Sequence, residues 1–201
     1  MKRVHFMICA AAVFSLVSGN ALAGDSIKNR FGITGKIGFI VPADSEDVAA
    51  GVMVTRNTDV GFIGGGGFIY GFSDSIAGEF DVTHTAVGSG STFGDFGTTN
   101  VSFGAQYRYL DPRLKHLVPY AGLGLDILLN DASNGNSVDN VVGIHANAGI
   151  DYFIQRQLAL NVDLKGVIAP DADIHAPSGS KVGNFDPNSF STTFGLRFFF
   201  N

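Results

Sequence analysis

The sequence predicts an all-β fold, an eight-stranded antiparallel transmembrane β-barrel after a cleaved leader, and three observations predict it. The segment from Ser189 to Phe200 alternates with period two. Phe190, Thr192, Phe194, Leu196, Phe198 and Phe200 share one face; Ser189, Ser191, Thr193, Gly195, Arg197 and Phe199 share the other. A strand standing between lipid and a lumen requires that pattern. Seven further runs of about ten residues alternate in the same way. The composition agrees: 27 glycines and 18 phenylalanines accompany only 15% charged residues. No run after residue 23 approaches the roughly 20 apolar residues of a membrane helix. A crossing therefore has to use strands, and only a closed barrel leaves no edge groups unpaired in lipid.

The elements follow in chain order. Lys2 and Arg3 precede an almost wholly apolar run from Phe6 to Val17, and Ala21-Leu22-Ala23 has the small-x-small pattern of a secretory cleavage site. The organisation expected is a leader over 1–23 and a single eight-stranded barrel domain over 24–201. Cys9 lies in the leader, so no cysteine remains for a disulfide. Strands are predicted over Phe31 to Val41, Val60 to Phe72, Ile76 to Thr85, Thr99 to Tyr109, Val118 to Leu129, Asn140 to Phe153, Gln157 to Ala169 and Ser189 to Phe200. The connections Ser73 to Ser75, Leu110 to Leu117 and Ile154 to Arg156 are short or moderate. Those at 42–59, 86–98, 130–139 and 170–188 are longer. With a periplasmic N-terminus, every short connection falls on the periplasmic side and every long one outside, as outer-membrane barrels are built.

The leader and the strand pattern place the chain in the outer membrane of a Gram-negative bacterium, among outer-membrane lipid and lipopolysaccharide. Loss of Lys2 and Arg3 takes the formal charge from −5 to −7. An acidic chain without a basic cluster argues against nucleic acid as a partner.

Alternation assigns Lys36, Glu79, Asp81, Arg108, Asp126, His145, Asp151, Asp163, Lys165 and Arg197 to the lumen. Eight strands enclose a space that side chains just fill. Unpaired charges there cost several kcal/mol each, so a network is expected in which Lys36, Arg108, Lys165 and Arg197 answer the carboxylates. Ile40, Ile63, Ile69 and Leu128 are the candidate apolar lining, with Val52, Met53 and Val54 as a possible lid. Gly64 to Gly67 has no following helix and no phosphate-reaching lysine. It reads as a bend or a place where another group approaches, and no cofactor is expected.

Val118-Pro119-Tyr120-Ala121-Gly122-Leu123-Gly124-Leu125 resembles the segment opening the fifth strand of the OmpW family, and Ala148-Gly149-Ile150-Asp151-Tyr152 is similar to that family's sixth strand. Phe185-Asp186-Pro187 and the stretch from Asn57-Thr58 to Glu79, with its tight turn Ser73-Asp74-Ser75-Ile76, also resemble it. The resemblance runs from about residue 30 to the end. It implies a narrow, partly hydrophobic channel that admits small hydrophobic solutes passively and releases them sideways. The chain departs from that family in having no tryptophan, with Asn188 standing where one is common. Thr193, Gly195, Phe198 and Phe200 resemble the C-terminal signal read by the barrel-assembly machinery, except that Asn201 follows.

Two other classes compete with transport. A solid barrel could bind host, phage or other ligands through the loops at 86–98 and 170–188. A lipid-modifying enzyme would need a nucleophile, a base and an orienting group together. His84, His145 and His175 show no such arrangement in sequence, and no catalytic set or resident metal is expected. Asp171, Asp173 and His175 alternate in one loop as divalent-ion ligands sometimes do, although a solvated acidic loop explains them as well.

Overall fold

The computed structural model describes residues 26–43, 45–49, 52–56, 60–87, 96–132 and 137–200. The predicted leader and Asn201 lie outside them, as do the side chains of Val52, Met53 and Val54. The strands are β1 (Phe31–Pro42), β2 (Ser45–Ala49), β3 (Val52–Arg56), β4 (Gly61–Gly71), β5 (Ile76–Val87), β6 (Phe96–Arg108), β7 (Leu117–Ala132), β8 (Ser137–Val138), β9 (Val141–Gln155), β10 (Leu158–Ile168), β11 (Ala172–His175), β12 (Lys181–Phe185) and β13 (Ser189–Phe199).

Eight of these close on themselves in the order β1-β4-β5-β6-β7-β9-β10-β13, every neighbouring pair antiparallel, with β13 returning to β1. Closure removes the free edges that lipid could not satisfy. The predicted strands coincide with these eight to within a few residues at each end. The long connections hold more order than the alternation revealed. β2 and β3 form a hairpin, and β8, β11 and β12 carry one part of the wall beyond the barrel through β11–β8 and β11–β12 pairing. Their runs of two to five residues are too short for period two to register.

The connections between β4 and β5, β6 and β7, and β9 and β10 all lie at one end, with the start of β1 and the end of β13. That end is periplasmic by the rule that turns face the periplasm and long loops face outside. Two of these connections are closed by local bonds. Ser73 Oγ accepts from Ser75 N at 3.3 Å and Ile76 N at 3.0 Å. Asp111 accepts from the Arg113 guanidinium at 3.0 Å and from Arg113 N at 2.9 Å, and these bonds hold its carboxyl below the usual aspartate range.

The outer face is apolar over the whole circumference. On β13, β1, β4, β5 and β6 it carries a row of rings, with centroids 6.0 Å apart for Phe200 and Phe31, 5.4 Å for Phe31 and Phe68, 6.2 Å for Phe68 and Phe80, and 4.9 Å for Phe80 and Phe103. On β7, β9 and β10 it is aliphatic, with Leu123, Leu125, Ile144, Leu160 and Leu164 exposed. Leu125 stands near the middle of β7, beside Phe103 and Ile144. Leu125→Arg is expected to cost about 2–4 kcal/mol, the penalty for a charge on the lipid face at mid-membrane. Denaturant unfolding in lipid vesicles measures it, and a neutral result would place Leu125 away from the hydrocarbon centre.

Candidate functional site

The lumen is stacked in three zones. At the periplasmic end Ile27, Ile69, Ala77, Val118, Phe153, Ala159 and Phe199 form an apolar plug. The rings of Phe153 and Phe199 stack at 5.6 Å. Ile27, from the segment before β1, is fully buried and completes the seal. Arg30 ties this segment across the closing seam, donating to Arg156 O at 2.7 Å and to Phe199 O and Phe200 O at 3.3 Å.

Above the plug lies the polar zone. All ten residues assigned to the lumen from the sequence point inward, and the tertiary structure decides which of them meet. Arg108 Nη1 meets Asp151 Oδ2 at 2.8 Å. Arg197 bridges Asp151 at 3.0 Å and Glu79 at 2.6 Å. Lys36 Nζ holds Asp81 at 2.7 Å and lies 3.5 Å from Glu79. Neutral donors finish the cluster: Gln106 donates to Glu79, and Asn161 donates to Asp151 at 2.8 Å and to Tyr120 Oη at 2.9 Å. Nearer the loops, Asp126 gathers Lys165 at 2.6 Å, Asn100 at 2.7 Å, Ser102 and His145. Asp163 accepts from Tyr120 Oη at 2.6 Å and Asn147 Nδ2 at 3.0 Å.

Glycines on the lumen side create the room these groups occupy. A Cβ on Gly67 would collide with the Asp81 carboxylate, one on Gly122 with the Asn147 amide, and one on Gly149 with the Tyr120 hydroxyl. The glycine run in β4 is thus a close approach, as the sequence suggests. The spaced glycines beside Tyr120 and Asp151 serve the same network.

The polar zone leaves a cavity of about 20 Å³, lined by Lys36, Asp81, His145, Asn147, Asp163 and Lys165 among others. That is room for about one water molecule, far less than any hydrocarbon solute needs. Among the described residues, the ion-paired layer stands between the apolar plug and the apolar zone under the loops.

The third zone, under the loops, is apolar again: Leu128, Val167 and Ala169 cluster with Val141 packed against them. Ile63, buried, and Ile40, half-buried, face inward at the same end, across from Gly38 and Gly61 respectively. The four apolar residues proposed from the sequence are therefore not brought together. Ile69 pairs with Gly32 and Glu79 at the periplasmic end and belongs to the plug. Alternation tells which side of the wall a residue faces and says nothing of its height.

At this upper zone the wall is interrupted. The β9–β10 ladder ends at Ile144 and Ile168, whereas β9 continues along β7 to Val141. Pro170, two residues past Ile168, has no N–H to continue the ladder. Ala169 N instead donates to Asn188 Oδ1 at 2.9 Å. Asn188 is itself fixed by Asp186 Oδ1 at 2.9 Å and, through its carbonyl, by Ala43 N at 2.7 Å. The position that departs from the OmpW pattern thus caps the break, which no local sequence signal shows.

Ser102, His145 and Asp126 have the residue types of a hydrolase triad without its arrangement. Ser102 Oγ donates to Asp126 rather than to the imidazole, and all three are buried. His84 faces outward, its Nδ1 3.1 Å from Thr99 Oγ1. In the loops Asp173 and His175 approach Asp139, while Asp171 stands outside that group. Lys181 already pairs with Asp173 at 2.7 Å.

A family profile described as "Outer membrane protein beta-barrel domain" matches residues 9–198. The chain belongs to this family. It is a barrel of the Gram-negative outer membrane. Among solved structures it is similar to the outer membrane protein OprG from Pseudomonas aeruginosa, with TM-score 0.68 and 20% identity, covering 88% of this chain and 98% of that one. AlkL, solved in lipid bilayers, gives 0.61 and 16%, covering 92% and 97%. Neisserial surface protein A gives 0.60 and 14%, covering 85% and 97%. At such identities the likeness is one of fold. A search of curated protein sequences finds no match.

Proposed function

We propose that this outer-membrane barrel is of the OmpW type and passively admits small hydrophobic molecules. One observation carries the reading: the apolar cluster of Leu128, Val141, Val167 and Ala169 lies against the break in the β9–β10 ladder, directly above a sealed polar zone. A solute entering under the loops meets an apolar surface, cannot continue through the charged layer, and has a weakened seam through which to leave sideways into lipid. Such a route needs no catalytic group. Phe198 and Phe200 face lipid while Thr193 and Gly195 face the lumen, and we assign these four residues to recognition by the assembly machinery.

The test is uptake of a small apolar reporter by cells lacking the protein, with and without restored expression. Restoration is expected to speed entry, and Leu128→Asp combined with Val167→Asp is expected to abolish the gain while heat-modifiability shows the barrel folded. Unchanged entry with folded protein in the outer membrane would remove the transport reading. It would favour a loop-binding barrel, which the closed interior and the extension of the wall by β8, β11 and β12 also suit.

A further inference from the structure

The polar zone contains five carboxyl groups, Glu79, Asp81, Asp126, Asp151 and Asp163, and four basic side chains of lysine and arginine, Lys36, Arg108, Lys165 and Arg197. The pairing is complete without Asp163. Lys36, Arg108 and Arg197 answer Asp81, Asp151 and Glu79, and Lys165 answers Asp126. Among the described residues no cation lies within ion-pair distance of Asp163. Its partners are the neutral donors Tyr120 Oη and Asn147 Nδ2, both on the same oxygen, Oδ2. Asp163 is nonetheless 5% exposed and lines the small cavity. A carboxylate held this way, away from bulk water and without a counter-charge, neutralises rather than remain charged.

We propose that this cavity is a proton-binding site and that Asp163 stands in the folded barrel as a neutral carboxylic acid, its proton on Oδ1. The groups around it are Lys36 from β1, Glu79 and Asp81 from β5, Tyr120 from β7, His145 and Asp151 from β9, Arg197 from β13 and Lys165 on its own strand. Of these, only His145 could supply the missing positive charge by another route. Its Nδ1 meets Asp126 Oδ2, however, and Asp126 already has Lys165. A proton placed on His145 would give Asp126 a second cation and leave Asp163 unanswered. The inference is independent of what the barrel transports.

Infrared spectroscopy of the folded protein in lipid vesicles at neutral pH tests it, because a neutral carboxyl has a C=O stretch separate from the carboxylate bands. One such carboxyl is expected in the wild type, and its band is expected to be lost in Asp163→Asn and kept in Asp81→Asn. The folded barrel would then hold a proton that the unfolded chain releases above about pH 3.9. The unfolded state binds fewer protons in that window, so the wild type loses stability relative to Asp163→Asn as pH rises. Absence of a neutral carboxyl in the wild type would overturn the proposal, as would a band that survives Asp163→Asn or vanishes in Asp81→Asn. If Asp163→Asn does not fold, the wild-type spectrum and Asp81→Asn decide. Stability that depends on sodium or potassium with no neutral carboxyl would assign the missing charge to a bound cation, again overturning it.

Discussion

Asp151→Asn is expected to destabilise the barrel by about 3–5 kcal/mol, the cost of leaving buried charge without its partner. Asp151 is fully buried and is the only carboxylate that contacts two guanidiniums among the described residues, Arg108 at 2.8 Å and Arg197 at 3.0 Å. Removing its charge while keeping its shape leaves Arg108 with no carboxylate and Arg197 with Glu79 alone. The loss is electrostatic, since the amide fills the same volume. Denaturant midpoints in lipid vesicles, compared with Asp163→Asn, measure it. The two substitutions are chemically identical, yet the first strands cations and the second replaces a carboxyl group that pairs with no cation among the described residues. Equal destabilisation of the two would show that the pairing is wrong.

Phe199→Ala is expected to cost about 3–5 kcal/mol by opening the periplasmic plug. The ring is fully buried, stacks on Phe153 at 5.6 Å and lies 5.5 Å beneath the Arg30 guanidinium. The bare Cα of Gly32 makes room for it: a Cβ there would stand 2.8 Å from Phe199 Cδ1. Phe198→Ala, one residue away, removes a ring from the lipid face and leaves the plug whole. Its effect on the unfolding midpoint is expected to be clearly smaller. A larger effect at Phe198 would mean that the ring row outside, rather than the plug, anchors the C-terminal strand.

These neighbours show what a sequence can carry. Period two separates Phe198 from Phe199 without any structure, because successive side chains of a strand leave opposite faces. The same rule assigned all eight wall strands and, among the described residues, the charged side chains of the polar zone, and a membrane enforces it by excluding polar groups from one side. Chain closure and the alternation of short and long connections were likewise legible, since lipid admits no open sheet.

Height and pairing were not legible. Ile69 and Leu128 look equivalent in sequence, yet register puts one in the periplasmic plug and the other under the loops. The same register decides that Lys36 reaches Asp81, that Arg197 spans Asp151 and Glu79, and that Asp163 is left over. It also brings Asn188 to the end of the β9–β10 ladder. Sequence by itself determined which residues face lipid and which face the lumen, because that choice is local to each strand. Only the tertiary structure decided which lumen residues meet, because strand stagger sets height, and height is a property of the closed barrel rather than of any one strand.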